Sequence, residues 1–297
     1  MHLVHDAFPP PALNQATTMG LRAEAEWRSF FATYDTIVLI ANSDEQQVRA
    51  ILADPPPNPL YIFFNKIDRV LDAPFAHDCI LVTRCNTAGS EVVYRGRLPS
   101  MLHLMPAPHF KGVANLRAAS RERLNRPEEF DDIDAGFIDM ADFLESFYPS
   151  EHTASSGFAM AAWILHLLPS IRIRLTGFSG ERGIQWKVFH IHDWTFEQTA
   201  LRLMSLAGMV ENDVPREVDP FPAFLRQFPQ IDATQAQREM LLVLREKLEK
   251  ANKRIDKLIS ATAPLRFFYD GWRVIKWKSK KNRVLDRIKK EEMRRLQ

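Results

Sequence analysis

The run Thr36–Ala41, TIVLIA, is apolar and β-branched without interruption. A strand with one wet face alternates polar and apolar residues. A continuous run needs cover on both faces, as a strand inside a parallel sheet has. That requirement constrains the chain more than any other feature. Similar runs follow: Leu60–Phe64 as a second strand, Cys79–Arg84 as a third, Val92–Tyr94 as a short fourth, and Ile171–Thr176 further on. Helical patterns lie between or beside them, at Arg22–Tyr34, Glu45–Ala53, Gly136–Phe147, from about Gly157, and at Trp194–Met209. Pro55, Pro56, Pro57 and Pro59 stop the second of these helices. Strands alternating with helices predict an α/β fold with an open, mostly parallel sheet and flanking helices. Residues 1–20 read as irregular. Residues 100–135, rich in His, Pro, Arg and Asp, read as loops.

With 297 residues the chain is long enough for one large α/β domain and an appendage. The proline-rich stretch Val214–Pro229 marks a boundary, and the sequence divides into a domain over 1–230 and a helical, basic extension over 231–297. In the extension Leu241, Leu244, Leu248, Ala251, Ile255 and Leu258 recur at spacings of three and four, a heptad seam of about three repeats. Such a seam serves self-association through 238–260 or packs back on the main domain. From Pro264 to Gln297 there are 12 Lys and Arg against 4 Asp and Glu, so the overall net charge of +2 hides a basic tail on a body of net −6. Phe267, Phe268, Tyr269, Trp272 and Trp277 share that tail. Aromatic and basic residues together suit an anionic membrane surface. Docking on the body and binding of nucleic acid are the competing readings, and no nucleic-acid partner is expected.

Two cysteines, Cys79 and Cys85, are too few for a disulfide framework or a zinc knuckle and fit a reducing, cytoplasmic compartment. The N-terminus lacks the pattern of a signal peptide. The longest apolar run, about Gly157–Leu168, is too short to span a bilayer. These features place the protein in the cytoplasm or on the inner face of a membrane.

Ligands of open α/β sheets bind at the carboxyl ends of the strands. Asn42 and Asn65 each follow a predicted strand directly, and Ser43 follows Asn42. An amide there reads a base edge or a ribose hydroxyl, or simply caps a helix. Ser155-Ser156-Gly157 opens the apolar helix. Hydroxyls and exposed amides at a helix start hold a phosphate or carboxylate, and Gly157 permits close approach; the plain alternative is an N-cap. His190 and His192 stand two apart, with Glu197 five residues beyond His192. One of these histidines suits general-base chemistry near neutral pH, with Glu197 to orient it; paired on a strand they also suggest metal ligation. Asp131, Asp132 and Asp134 resemble a metal-binding acidic triplet but equally read as an acidic helix start.

Taken in order, these segments resemble the sialyltransferase superfold, a GT-A-like variant whose members use CMP-activated sugars. TIVLIAN is similar to that family's first nucleotide-binding strand and its Asn. LYIFFNKID is similar to the second strand with its following Asn. SSGFAMAAWILHLLPSIRIRLTGF resembles the helix opened by two hydroxyl residues and glycine, followed by a strand ending in Gly-Phe. HDWTFE matches the family's His-x4-Glu motif, in which the histidine is the base. The family's first motif usually has glycine beside the Asn and Pro-Ser after it; here Ala41 precedes and Ser43-Asp44 follow. The resemblance covers about residues 35–205. It implies an inverting, metal-independent transfer from CMP-sialic acid or CMP-Kdo to a hydroxyl of a surface polysaccharide or lipopolysaccharide. His192 would be the base and His190 its understudy. Glu197 would hold the imidazole, and Ser155, Ser156 and Gly157 the donor's anionic group. Asn42, Ser43 and Asn65 would meet the nucleotide. No cofactor beyond the CMP-sugar donor is implied, and the other partner is a glycan acceptor. A non-catalytic membrane scaffold and a metal-dependent UDP-sugar transferase are the alternatives.

Overall fold

The computed structural model describes residues 20–42, 46–85, 93, 96–130, 133–178, 191–213 and 221–275. The chain divides into two compact units, Met1–Val214 and Pro215–Gln297, with the break at the start of the proline-rich stretch.

The first unit is built on seven parallel strands: β1 (Thr36–Ile40), β2 (Pro59–Phe64), β3 (Cys79–Arg84), β4 (Phe110–Arg117), β5 (Gly136–Asp139), β6 (Arg172–Thr176) and β7 (Val210–Asn212). Their order across the sheet is β5-β4-β3-β2-β1-β6-β7, and every neighbouring pair is parallel. The uninterrupted apolar runs are explained by cover on both faces. Successive side chains point to opposite sides. Ile37 and Leu39 of β1, with Leu60 and Ile62 of β2, join a core with Trp27, Phe31, Phe158 and Trp163. These last come from α1 (Glu24–Phe31) and α5 (Ser156–Leu167). Val38, Ile40, Tyr61 and Phe63 face the other way, toward Val48 and Ile51 of α2 (Gln46–Ala53) and Leu98 and Met101 of α3 (Leu98–Leu102). Each such buried side chain contributes roughly 1.5–3 kcal/mol.

Two segments differ from the sequence expectation. Gly136–Phe147, expected to be one helix, begins as β5 and only then forms the short helix α4 (Ala141–Glu145). Tertiary pairing overrides the local pattern: β5 lies beside β4 from Ala114↔Gly136 to Arg117↔Asp139. Its far edge is held from the N-terminal segment, where Phe137 N–H donates to the Leu21 carbonyl (2.8 Å) and the Trp27 indole donates to the Phe137 carbonyl (3.0 Å). The second segment is β4, which lies inside the stretch read as loops. Lys111 and Asn115 interrupt its apolar pattern, yet both are buried. A further strand, β7, follows the helix α6 (Trp194–Leu206). Of the proposed strand at 92–94, Val93 is helical and its two neighbours lie outside the described residues.

The chain steps outward from β1 to β5, then returns to the other side of β1 as β6 and β7. This reversal places the switch point between the carboxyl ends of β1 and β6, where a parallel sheet opens a crevice. There Ala41 N–H donates to the Thr176 carbonyl at 2.9 Å, just before the strands part.

Among the described residues the second unit contains α7 (Phe221–Gln227) and α8 (Ala233–Ile275), a single helix of 43 residues. Among the described residues no helix is long and apolar enough to cross a membrane.

Candidate active site at the carboxyl ends of the strands

The β1–β2 ladder runs to Leu39↔Ile62, and its register carried onward puts Asn42 level with Asn65. Asn65 has a φ of 40°, a left-handed conformation that asparagine tolerates better than most residues. Its N–H donates to the Val82 carbonyl at 3.1 Å. Its side-chain Oδ1 is buried and has no hydrogen-bond partner among the described residues. A buried, unpaired acceptor costs about 1–3 kcal/mol, so a residue that holds one at a ligand-binding edge is a natural contact for a bound donor group. Ser43 lies outside the described residues.

The start of α5 holds an anion, and the anion is the protein's own. Ser155 is the N-cap, with its Oγ accepting from Phe158 N–H at 3.3 Å. Its Oγ–H donates to Glu197 Oε2 at 2.6 Å and its N–H donates to Glu197 Oε1 at 2.7 Å. The Tyr148 hydroxyl donates to the same Oε1 at 2.7 Å, and accepts from Asp193 N–H at 3.1 Å. Asp193 in turn caps α6, accepting from Phe196 N–H at 2.9 Å. The carboxylate of Glu197, in the first turn of α6, thus ties two helix starts together, with both dipoles favouring its charge. Only 2% of Glu197 is exposed. Burial pushes its carboxyl above the ordinary range, against the bonds from Ser155 and Tyr148 and the positive charge of Arg84. Burial and the neighbouring Glu197 charge together push the Tyr148 phenol up.

Ser155 therefore spends both its donors within the protein. The amides of Ser156 and Gly157 are the ones at this helix start outside the hydrogen-bond ladder, which begins with Ala159 N–H to the Ser155 carbonyl. At Gly157 a side chain would meet the Phe178 ring at 2.4 Å, so packing requires the glycine here. Phe178 follows Gly177, whose φ of 79° turns the chain at the end of β6.

His192 Nδ1–H donates to the Thr153 carbonyl at 2.5 Å. In the neutral ring this leaves the basic lone pair on Nε2. Burial lowers the pKa of the imidazole; the Thr153 bond opposes that and the Arg84 charge reinforces it. Glu197, expected to orient this ring, is committed to Ser155 and Tyr148, and the orienting acceptor is a backbone carbonyl. His190 lies outside the described residues.

The segment carrying that carbonyl is held from several sides. Thr153 N–H donates to the Ile191 carbonyl at 2.9 Å. Thr153 Oγ1 accepts from Arg121 Nε at 2.9 Å and also from its terminal Nη2. Arg84, at the end of β3 and 1% exposed, donates to the Ala154 carbonyl at 2.6 Å and to Glu122 Oε2 at 2.9 Å. Glu122 also accepts from Ala118 N–H at 3.1 Å. Sequence reasoning missed Tyr148, Thr153, Arg84, Arg121 and Glu122. Arg84 alone left a signal, as a charged residue closing an apolar strand.

Asp134 pairs with Arg22 across 3.5 Å at the surface, and Asp131 and Asp132 lie outside the described residues. Among the described residues no group of three or more His, Cys, Asp or Glu is placed to hold a metal ion.

The chain is similar to a monofunctional alpha-2,3-sialyltransferase from Campylobacter jejuni, with 12% identity over 61% of this chain and 75% of that one and a TM-score of 0.35. A structure of an alpha-2,3-sialyltransferase from the same organism in apo form matches with 13% identity, the same coverage and a TM-score of 0.35. No family model and no curated protein matches the chain.

Proposed function

We propose that this protein is an inverting glycosyltransferase that needs no metal and moves a CMP-activated ulosonic acid, sialic acid or Kdo, onto a sugar hydroxyl of a surface polysaccharide or lipopolysaccharide. The observation that carries the reading is the state of His192: a half-buried imidazole, its Nδ1–H tied to the Thr153 carbonyl, its basic nitrogen Nε2, and its pKa lowered so that it is neutral near pH 7. That is the equipment of a general base. The order of the four motifs, from TIVLIAN to HDWTFE, supplies the substrate class.

In this mechanism the acceptor hydroxyl gives its proton to His192 Nε2 as its oxygen attacks the anomeric carbon. The bond from that carbon to the phosphate oxygen breaks on the opposite side, and its electron pair leaves with CMP. The Thr153 carbonyl accepts from Nδ1–H throughout and so favours the imidazolium that forms. Ser156 and Gly157 N–H, at the positive end of α5, receive the charge that grows on the leaving phosphate. Asn42 and Asn65 meet the cytidine and its ribose. Glu197 is a positioning residue, fixing the start of α6, which follows His192, against the start of α5.

Calorimetric titration with CMP, CDP, UDP and GDP, each with and without EDTA, tests the reading. CMP binding that survives EDTA supports it and directs assays to CMP-sialic acid and CMP-Kdo. Binding only of UDP with Mn²⁺ or Mg²⁺ overturns it in favour of a metal-dependent transferase. Absence of all nucleotide binding and of CMP-sugar hydrolysis overturns it in favour of a scaffold.

A further inference from the structure

The helix α8 is about 65 Å long at the standard rise per residue. Along it Leu241, Leu244, Leu248, Ile255 and Leu258 are between 50% and 65% exposed. Together with Ala251 they occupy alternating a and d positions of one heptad frame, with Leu241, Leu248 and Ile255 at a. Long helices draw most of their stability from burying such a stripe rather than from intrinsic propensity.

The residues flanking the stripe choose between the two orientations in which a second copy of this helix can cover it. Positions e hold Arg238, Arg245, Asn252 and Ile259, and positions g hold Met240, Lys247, Arg254 and Ala261. In a parallel, in-register pair, each g residue faces the e residue five positions on in the other copy. Met240 then faces Arg245, Lys247 faces Asn252, and Arg254 faces Ile259: every basic residue meets a neutral one. In an antiparallel pair with Leu241 opposite Leu258, g faces g and Lys247 meets Arg254 twice. Like charges so placed repel one another. Glu246, Glu249 and Asp256 lie outside the e and g rows and relieve neither case; Glu249 already accepts from Arg245 on its own helix at 3.2 Å.

We infer that α8 pairs with α8 of a second copy of this chain as a parallel, in-register two-stranded coiled coil over 241–258. Leu248 is a central knob of the seam. Ala251 stands at a d position, directly opposite its own counterpart. In the antiparallel alternative Ala251 would face Leu248 instead.

The test uses the full chain of 34.3 kDa. Sedimentation equilibrium from about 1 to about 100 µM should give twice that mass at the upper end, because association follows mass action. Leu248→Asp should sediment as a monomer across the range, while Lys253→Glu, at an outer f position, keeps the dimer. Leu248 is no member of the sheet domain's core, so the variant should keep that domain's far-ultraviolet spectrum. Ala251→Cys should cross-link to a covalent dimer under mild oxidation, with the parent chain as the control for Cys79 and Cys85. A monomer at every concentration, a dimer indifferent to Leu248→Asp, or no cross-link through position 251 overturns the inference. So does a chain that stays monomeric and moves onto vesicles containing phosphatidylserine through the same leucines. None of these readouts depends on nucleotide binding.

Discussion

The two ends of the sheet each carry a charged cluster, and they are built differently. At the amino ends a cleft of about 360 Å³ opens between Tyr34, Asn58, Asp78, His109 and Lys111. Asp78 collects its neighbours loosely. The Tyr34 hydroxyl donates to it at 3.3 Å, and His109 Nδ1 and the Lys111 ammonium lie 3.4 and 3.2 Å away. The Asp78 and His109 side chains are 33% and 40% exposed. At the carboxyl ends the Arg84 and Glu122 side chains are 1% and 8% exposed, and the bonds around Arg84 and Glu197 shorten to 2.6–2.9 Å. Water reaches Asp78 and His109 in the first cluster, although Lys111 there is buried, whereas the second is desolvated throughout, as preorganised chemistry requires. That cleft lies at the end of the sheet opposite the one where parallel sheets place their loops and ligands.

The largest expected contrast is in turnover. His192→Ala should lose about 10²- to 10⁴-fold in kcat with CMP affinity kept, while His109→Ala at the opposite end should change kcat by less than about twofold. Equal losses in rapid-quench assays of the two variants would erase the functional distinction between the ends.

The next contrast is in stability. Arg84→Leu leaves the Glu122 carboxylate buried without its partner and the Ala154 carbonyl without its donor, and should cost about 3–5 kcal/mol in urea unfolding. His109→Ala breaks a contact to Asp78 that solvent already weakens, and should cost less than about 1 kcal/mol. A comparable loss in both would show that burial does not separate the clusters.

Tyr148→Phe removes one donor to Glu197 and the acceptor of Asp193 N–H, for a loss of about 1–2 kcal/mol. With one bond fewer to its charged form, the Glu197 carboxyl should rise further, which carboxylate NMR reads directly. An unchanged Glu197 titration would mean that the phenol is not its partner in solution.

The smallest effect is on pH dependence, with opposite signs at His192 and Glu197. His192 has a folded pKa below its ordinary 6.5. Turnover should hold near neutral pH and fall on the acid side as pH drops through that depressed pKa, because the base is lost. The unfolded chain takes up the His192 proton first, so stability also declines as pH falls below about 6.5. Glu197 has a folded pKa raised above 4.5, so its contribution is fully present below 4.5 and is lost as pH rises through the raised value. His192→Gln should flatten the former limb of a stability–pH curve, and Glu197→Gln the latter; a curve unchanged by either would remove that group from the account.

Much of this architecture was legible from local pattern. TIVLI, LYIFF and CILVTR needed cover on both faces and received it, and Asn42 and Asn65 follow strands because the turn after a parallel strand must begin there. The four-residue strand GFID was not legible, because its identity comes from pairing with β4 and from the Leu21 and Trp27 bonds that cover its edge. The site divides in the same way. His192 and Glu197 announced themselves as an acid–imidazole pair five residues apart, but the fold turned them to different partners: a carbonyl for one, a serine and a tyrosine for the other.

The sequence by itself determined the strands β1, β2, β3 and β6 and the helices α1, α2, α5 and α6, since side-chain period, β-branching and caps act within a few residues of the chain. Only the tertiary structure decided which charges meet. Arg84 reaches Ala154 across 70 residues, and Tyr148 reaches Glu197 across 49. A buried charge is tolerated only beside its partner, and nothing in the local pattern says which distant residue the sheet will bring there.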